Sequence, residues 1–523
     1  MDRRSLLLGR RPGSPLPASP PASPPASPPP DPEPVARPPS VVLPTAGGLA
    51  PFAPGGSAPW DARRARHLLR RATLTATPAR VQQMLARTPG QAVDALVDDA
   101  LAAVPVPRPS YADLLPPVNP TTDQTTAFNT ANSAGYTEAT ASVMRELTER
   151  RVPGTGLRER MAVLLHTVVT ANYDGFGNTA YRLFGYWDAL RRNALGSFET
   201  LIREVGKTQA MLVYLNGSAN RVGSPNENYA RELLELFTLG INGPDGAPNY
   251  TQADVTNLAR ALTGWTAPST QTAALFVASR FDSGQKTLFG QTGALTYDTA
   301  HDVLFSARRA QAAHHVGRHL YTAFVAATPN EAVVAEIAAV LLANSFSLAH
   351  AVRALLKSQH FFSAGALGVR VKDPLSLTLG LLTELGWSNP EQQSRSVSSR
   401  ATSVGFELFR PPDVSGWPEG RAWLDTGSMP LRGVATDQTV AARTEGRAFA
   451  ATFASAGDPY AFVADVADRL VAVPLGAAAL AQAVTILLGG IPDYEWDPTV
   501  ASAEGRIRGL VQHLARLPEY HLT

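Results

Sequence analysis

The stretch SPNENYARELLELFTLG, residues 224–240, carries the clearest helical pattern of the chain. Its ends are marked by capping signals: Ser224 precedes a proline, Glu227 follows three positions later to form a capping box, and Gly240 supplies a left-handed stop. One set of apolar residues recurs at the i, i+3, i+4, i+7 spacing of a helix face. That face is predicted to be buried, and it contains Ala230, Leu233, Leu234 and Phe237.

Polar residues recur at the same spacing on another face of this helix. Two carboxylates, a guanidinium and an amide fall within two turns: Asn228, Arg231, Glu232 and Glu235. The set suits a catalytic or oxygen-ligand cluster that lines a cleft, with Glu232 as base or metal ligand. It also suits a solvated face on which Arg231 and Glu235 pair one turn apart. The spacing alone leaves both interpretations open.

The rest of the chain indicates the fold class. From Trp60 onward, Ala/Leu/Arg-rich runs of helical periodicity alternate with short Gly, Pro and Asn breaks. We predict an all-α fold, with residues 60–523 forming one large multi-helix globular unit and at most one small β-hairpin. That hairpin would pair residues 274–277 with 287–289. With 523 residues, 44% of them hydrophobic, the chain is long enough to bury a sizeable core.

Residues 1–59 differ in kind, because they are rich in Pro, Ala and Ser. Proline lacks an amide donor and fixes φ, so this segment is predicted to be a disordered, extended tether with a short basic N-terminus. Arg3 and Arg4 before a leucine run resemble the start of a twin-arginine export signal, but the run is too short for the apolar core of a signal peptide. We therefore expect a cytoplasmic location and leave export open.

Composition excludes several classes of protein. The absence of cysteine rules out a disulfide scaffold, a cysteine nucleophile and a thiolate metal site. A net charge of +2 gives no general attraction to nucleic acid. No apolar run reaches the roughly 20 residues of a membrane-spanning helix. We expect no cofactor, no nucleic-acid partner and no integral membrane segment, and the sequence does not determine the oligomeric state.

Further residues join the candidate site from other segments. Lys286 is one of few lysines in a chain that uses arginine, and its amine could transfer a proton. His166 lies in an apolar helix, where a lone histidine is usually a hydrogen-bonded core residue. Trp265 is expected either to pack in the core or to form part of a binding surface. The predicted catalytic residues are Glu232, Glu227, Lys286 and His166, and the predicted binding residues are Asn226, Asn228, Arg231, Asp282 and Trp265.

Two other clusters are interpreted as structural. The arginine-rich run at residues 63–71 is predicted to be a solvated helix face. His315 and His319 have the spacing of two metal ligands on one helix. A zinc site needs a third protein ligand that the sequence does not supply, so no metal site is predicted.

Several stretches carry a family resemblance. The longest is residues 226–240, called here the hallmark segment, and the others are 67–73, 192–198, 259–265, 411–418, 421–424 and 518–520. Over about residues 60–523 the chain resembles the bacterial domain-of-unknown-function 1800 family. The resemblance implies a large helical protein without an assigned reaction. It also implies a protein partner encoded nearby, because members are often encoded beside an exported protein.

The chain departs from the family pattern at histidine positions. Members commonly carry a Trp-His-x-His-Phe-like stretch where this chain has LHTVV at 165–169. They tend to have a histidine at the position of Phe281 and another near Arg309. The resemblance therefore implies an active site from which most histidines are missing, with His166 retained.

Two functions follow from the sequence, and it leaves open whether the chain is an enzyme. The first is a helical scaffold or binding partner with an incomplete active site, for which the Pro-rich tether would suit display at a distance. The alternative is a hydrolase that acts on an extracytoplasmic polymer or conjugate through a carboxylate/Arg/Lys cluster.

Overall fold

Helices form nearly all of the regular structure, as the periodicity predicts. A computed structural model describes residues 42–45, 47–149, 154–386, 390–441 and 445–523, and for 390–394 the backbone only. Within these ranges the chain forms 21 α-helices and two two-stranded sheets. The all-α prediction is confirmed.

The helices follow one another with short connections, and the first ten precede the sheets. They are α1 (Ala62–Thr73), α2 (Pro78–Leu85), α3 (Pro89–Ala102), α4 (Thr122–Leu147), α5 (Thr155–Val168), α6 (Ala180–Asn193), α7 (Phe198–Gly206), α8 (Gln209–Tyr214), α9 (Asn228–Glu232) and α10 (Gln252–Ala261). A π-helix, Leu233–Thr238, continues α9.

Eleven α-helices follow the sheets in the described residues. They are α11 (Tyr297–Ala307), α12 (Arg309–Phe324), α13 (Glu331–Ala343), α14 (Leu348–Leu356), α15 (Pro374–Glu384), α16 (Pro390–Ser403), α17 (Ser428–Ala441), α18 (Gly446–Ala450), α19 (Pro459–Leu470), α20 (Ala477–Leu488) and α21 (Ala503–Arg516). None of the described helices is both long enough and apolar enough to cross a membrane.

The strand pairing differs from the predicted hairpin. Strands β1 (Trp265–Thr266) and β2 (Leu275–Phe276) pair antiparallel, and so do β3 (Lys286–Leu288) and β4 (Gln291–Gly293). The predicted partners 274–277 and 287–289 therefore belong to two different ribbons. Each strand pairs with a segment close to it in sequence, which costs less loop-closure entropy than a longer connection.

The hallmark segment begins later than its capping signals predict. Glu227, not Ser224, occupies the N-cap of α9, and its side chain caps nothing. The neighbouring asparagine side chains bond the free amides at this turn, which leaves the Glu227 carboxylate free to bond elsewhere. The four predicted core residues are all 0% exposed, and Gly240 ends the segment at φ +76° as predicted.

Four of the five arginines in the run of α1 are buried and Arg63 is half-buried, so the prediction of a solvated face is wrong. Arg64, Arg66, Arg70 and Arg71 are all at most 8% exposed. Arg71 donates to the carbonyls of Phe324 and Val325 at the end of α12. Arg70 donates to the last carbonyls of α19. These guanidiniums bond carbonyls that a helix end leaves without partners, and this role requires them to lie inside the fold.

One hydrophobic core connects the described elements, and it includes residues of the range predicted as a tether. Leu43 and Phe52 are 4% and 7% exposed and belong to this core. The compact unit accordingly spans Val42–Thr523. Residues 1–41 of the predicted tether lie outside the described residues.

Candidate functional site

The Glu227 carboxylate joins the hallmark segment to α10. It accepts hydrogen bonds from Thr256 Oγ1 at 2.7 Å, Gln252 Nε2 at 2.8 Å and Arg231 Nη2 at 3.0 Å. The two donors on α10 are the main reason that the pKa of Glu227 lies below its usual value. Arg231 also donates to Gln252 Oε1 at 2.9 Å. Both charged groups are therefore bonded within the protein.

The predicted binding asparagines build the turn that starts α9. Asn220 Oδ1 accepts from the backbone amide of Asn226 at 2.9 Å, and Asn226 Oδ1 accepts from that of Asn228 at 3.0 Å. Asn220 Nδ2 donates to the carbonyl of Ala259 on α10 at 2.8 Å. These bonds position α9 against α10, as Asx turns commonly do at helix starts. The side chain of Asn228 is exposed.

Lys286 is buried against the main chain. Its side chain is 0% exposed, and Nζ donates to the carbonyls of Asp282 and Gly284, the latter at 2.8 Å. The Asp282 carboxylate lies 3.7 Å away and is itself bonded by Arg260 Nε at 2.8 Å. Burial lowers the pKa of Lys286, and the bond from Arg260 is the main reason that the pKa of Asp282 is lowered.

One face of α10 brings these groups together. Gln252, Thr256 and Arg260 follow each other at four-residue spacing; the first two bond Glu227 and the third bonds Asp282. The hallmark segment and the 282–286 turn thus meet along one helix face. The sequence prediction missed these three residues, although their spacing places them on one face of a helix.

Glu232 lies on the predicted polar face of the hallmark segment. Within the described ranges it forms no hydrogen bond or ion pair, and it is half-buried. Burial first, and then the neighbouring Glu235 carboxylate, raise the pKa of Glu232. Glu235 accepts from Tyr250 Oη at 2.8 Å, so the predicted Arg231–Glu235 pair is not formed. The π-helix changes the register of Glu235 relative to Arg231, and Arg231 pairs with the carboxylate one turn earlier.

Trp265 packs beyond the end of α10 as a half-buried ring. Its ring centroid lies 5.5 Å from that of Phe276 and 6.0 Å from that of Tyr297. The Lys207 ammonium lies 5.1 Å from the indole centroid and 4.5 Å from the Tyr297 centroid. This cation–π arrangement occupies the ring that was predicted as a binding surface.

His166 lies in α5 and is 0% exposed. Nδ1 lies 2.7 Å from Tyr186 Oη, and that hydroxyl donates to the carbonyl of Val169 at 2.7 Å. Because the hydroxyl proton is used there, Nδ1 must be the donor and Nε2 the acceptor of the neutral ring. Nε2 is buried and has no hydrogen-bond partner among the described residues. Burial lowers the pKa of His166 to about 3, so the ring is neutral at pH 7.

The late motif at 411–418 lies close to both regions. Burial, and after it the nearby Asp413 and Glu232 carboxylates, raise the pKa of Tyr214. The Trp417 ring centroid is 5.0 Å from that of His166. The contacts of His166 in the described structure are to aromatic rings and to Tyr186, and none is to the predicted charged residues.

A comparison with protein families identifies the chain. A family model described as "Protein of unknown function (DUF1800)" matches residues 67–522. This chain belongs to the DUF1800 family. The match covers nearly the whole sequence and confirms the resemblance seen in the motifs. No curated protein and no solved structure matches this DUF1800 chain.

The positions at which the family resemblance implies histidines have other roles in this DUF1800 chain. The Phe281 ring lies 5.1 Å from Lys286 Nζ, where a cation–π contact helps to enclose the ammonium. Arg309 donates to the carbonyl of Leu342 at 2.8 Å. Neither arrangement leaves a free nitrogen acceptor for a metal or a proton.

Possible metal ligands are dispersed in this DUF1800 chain. Within the described residues, no group of three or more His, Asp and Glu side chains could hold a metal ion. The Nε2 atoms of His315 and His319 are 3.1 Å apart, and His315 Nε2 also bonds the carbonyl of Leu236 at 2.8 Å. The pair therefore links α12 to the π-helix.

Proposed function

We propose that this chain is a helical scaffold or binding partner in which the hallmark residues hold the fold together instead of turning over a substrate. The observation that carries the proposal is Lys286. Its side chain is 0% exposed and is bonded to two carbonyls of its own turn. A buried amine with these acceptors cannot meet a substrate without breaking the turn that it stabilises.

The other predicted catalytic groups support the same function. Glu227 accepts three hydrogen bonds, two of them from α10. His166 is enclosed, and its low pKa of about 3 makes it a poor base near pH 7. A general base must lie within hydrogen-bond reach of the proton that it removes, and a side chain with no exposed surface does not meet that condition.

The structural role of Lys286 is tested by the direction in which its replacement changes the free energy of unfolding. We expect Lys286→Met to lower the free energy of unfolding by about 2 kcal/mol, because the buried ammonium and its two bonds to the carbonyls of its turn are lost. Lys357→Met, which removes a partly exposed lysine paired with Asp94, should cost less than about 1 kcal/mol. Both values come from urea unfolding. An unchanged or higher stability for Lys286→Met would contradict the proposal, because catalytic polar groups are often retained at a cost in stability.

One observation favours hydrolysis as a second candidate function. Glu232 is half-buried, has no hydrogen bond within the described structure, and has a raised pKa, as a general acid or base often does. It lies on the hallmark segment, beside the Glu235–Tyr250 pair.

Turnover measurements separate the two functions. Wild-type protein and Glu232→Gln are assayed against chromogenic ester, phosphoester, glycoside and peptide substrates, with Glu199→Gln as a control in which the carboxylate pairs with Arg203. We expect no activity that depends on Glu232, and we expect a complex with a co-expressed neighbouring gene product to persist in Glu232→Gln. Turnover that is lost in Glu232→Gln and kept in the control would overturn the scaffold proposal in favour of hydrolysis.

A further inference from the structure

A small cavity of about 50 Å³ lies beside α5, away from α10. Its wall includes three aromatic rings of low exposure, Phe406, Trp417 and Trp423, which are 4–6% exposed. The Trp417 ring stacks on Phe406 with centroids 4.6 Å apart. The wall also carries two arginines, Arg160 of α5 and Arg370, and two acidic residues, Asp373 and Glu419.

Neither arginine side chain has a bonded partner in the described structure. Arg160 is 5% exposed, and its Nε is buried without a hydrogen-bond partner. Arg370 pairs through its main chain with Thr523, while its guanidinium forms no hydrogen bond or ion pair to any described residue. Burial is the main cause that lowers the pKa of both groups, that of Arg160 to about 10. Arg370 is half-buried, and a buried guanidinium such as that of Arg160 is costly without a bonded acceptor, so this arrangement needs an explanation.

The half-buried carboxylate of Asp373, which also lines the cavity, does not supply the missing acceptor. Asp373 caps α15, where it accepts from the Ser376 amide at 2.8 Å and from Ser376 Oγ at 2.7 Å. It is close enough for both arginines to lower its pKa, yet neither lies within 4.0 Å of it. Glu419, the other acidic residue of the cavity wall, is exposed.

Two further buried cations, Arg71 and Arg432, lie near the cavity. Burial lowers the pKa of Arg71 most, and the nearby Arg370 and Arg160 guanidiniums lower it further. Arg432 is 0% exposed and interacts with Asp373. Both are bonded to carbonyls or to a histidine, so they add charge without offering a binding fork. The buried groups therefore carry more positive than negative charge.

We propose that Arg160 and Arg370 form a binding site for an oxyanion, either a carboxylate or a phosphate group, inside the aromatic cavity of α5 and the late motif. Guanidinium forks match both oxyanions with paired N–H donors. Trp417 Nε1, buried and without a partner among the described residues, adds a donor on the same wall. The volume fits a single anionic group, since one water occupies about 30 Å³ in the liquid. The rest of a larger ligand would therefore lie outside the cavity.

This site is independent of the hallmark segment, so its failure would leave the scaffold proposal unaffected. The test uses the full chain and two probes, inorganic phosphate and acetate, each compared with sodium chloride at equal ionic strength. We expect a saturable rise in the midpoint of thermal unfolding with at least one probe, and heat of binding by calorimetry. A larger effect of phosphate would indicate a site for a tetrahedral oxyanion, and a larger effect of acetate a site for a planar carboxylate.

Arginine variants decide whether the binding is local to the cavity. Arg160→Gln and Arg370→Gln should each weaken binding about tenfold or more, as the loss of a charge-assisted bond does. Arg192→Gln, with a side chain 53% exposed at the surface, should bind as the wild type does.

Three results would overturn the site. One is the absence of a saturable effect of either probe on the wild type, another is an effect that the Arg160→Gln variant retains, and the third is an effect that the Arg370→Gln variant retains. If the glutamine variants do not fold, Arg370→Lys keeps the charge and removes the fork. It should also weaken binding, and unchanged binding by Arg370→Lys would contradict the proposal.

Discussion

At the scale of single residues, burial decides the chemistry of the side chains that look most reactive. His166 is neutral because desolvation opposes its charged form, and Tyr186 fixes which nitrogen carries the proton. Lys286 is shielded in the same way by Phe281 and by two carbonyls of its own turn. Residue type indicates what a group could do, whereas exposure determines whether it can do it.

The buried histidine predicts a pH dependence of stability. The pKa of His166 is about 3 in the folded state and about 6.5 in an unfolded chain, so the unfolded state binds more protons as the pH falls below about 6.5. The contribution of neutral His166 is therefore complete above pH 6.5 and is lost progressively toward pH 3. When the pH is lowered from 7.5 to 5.5, the free energy of unfolding should fall by about 1.4 kcal/mol less in His166→Phe than in the wild type.

Urea unfolding at the two pH values checks this expectation. His350→Phe is the matched control, because it makes the same substitution at an exposed histidine. Equal losses of stability in the wild type and His166→Phe would show that His166 is not held neutral by burial.

At the scale of elements, glycines and helix ends determine how segments approach each other. The turn 413–416 ends at Gly416, with φ +90°, and a Cβ there would lie 2.7 Å from the carbonyl oxygen of Thr167 near the end of α5. This close approach brings Trp417 beside His166. The late motif thus needs glycine both for its backbone conformation and for the space.

Two glycine substitutions separate the cost of the left-handed backbone from the cost of the close contact. Gly416→Ala should lower the free energy of unfolding by about 3 kcal/mol, because it combines a left-handed φ with a backbone clash. Gly290→Ala has a similar φ of +80° but no atom within 4 Å, so it should cost about 1 kcal/mol. Chemical unfolding measures both, and equal costs would exclude a tight contact between the turn and α5.

At the scale of the whole molecule, α1 connects parts of the chain that are hundreds of residues apart. Arg70 forms a two-pronged bond with Glu384 of α15, at 2.8 and 2.7 Å, and also bonds the end of α19. The two side chains are 5% and 1% exposed. Such a pair is costly to break, because the remaining charge stays buried.

Removing one partner of this pair should have a large effect. Glu384→Gln is expected to lower the free energy of unfolding by about 3–5 kcal/mol, measured by urea. Asp437→Asn breaks a pair with Arg516, whose side chain is 61% exposed, and should cost less than about 1 kcal/mol. A small effect of Glu384→Gln would mean that α1 and α15 are held together by apolar packing alone.

Local patterns predicted the elements well and the charged contacts poorly. The buried face of the hallmark segment and the stop at Gly240 are both present. Capping and periodicity depend on neighbours within about four residues, so one segment contains the whole signal. The capping box at Ser224 is not formed, because the Ser224 amide donates to the carbonyl of Arg221 and the turn before α9 is built by the side chains of Asn220 and Asn226.

The amino-acid sequence by itself determined the all-α class, most helices and the DUF1800 membership, because periodicity and family motifs are properties of the linear chain. Only the tertiary structure decided which charges meet: Glu227 with α10, Arg70 with Glu384, and Arg160 and Arg370 with no bonded partner. Those outcomes depend on desolvation and on distances between segments far apart along the chain. Spacing within one helix contains no information about either.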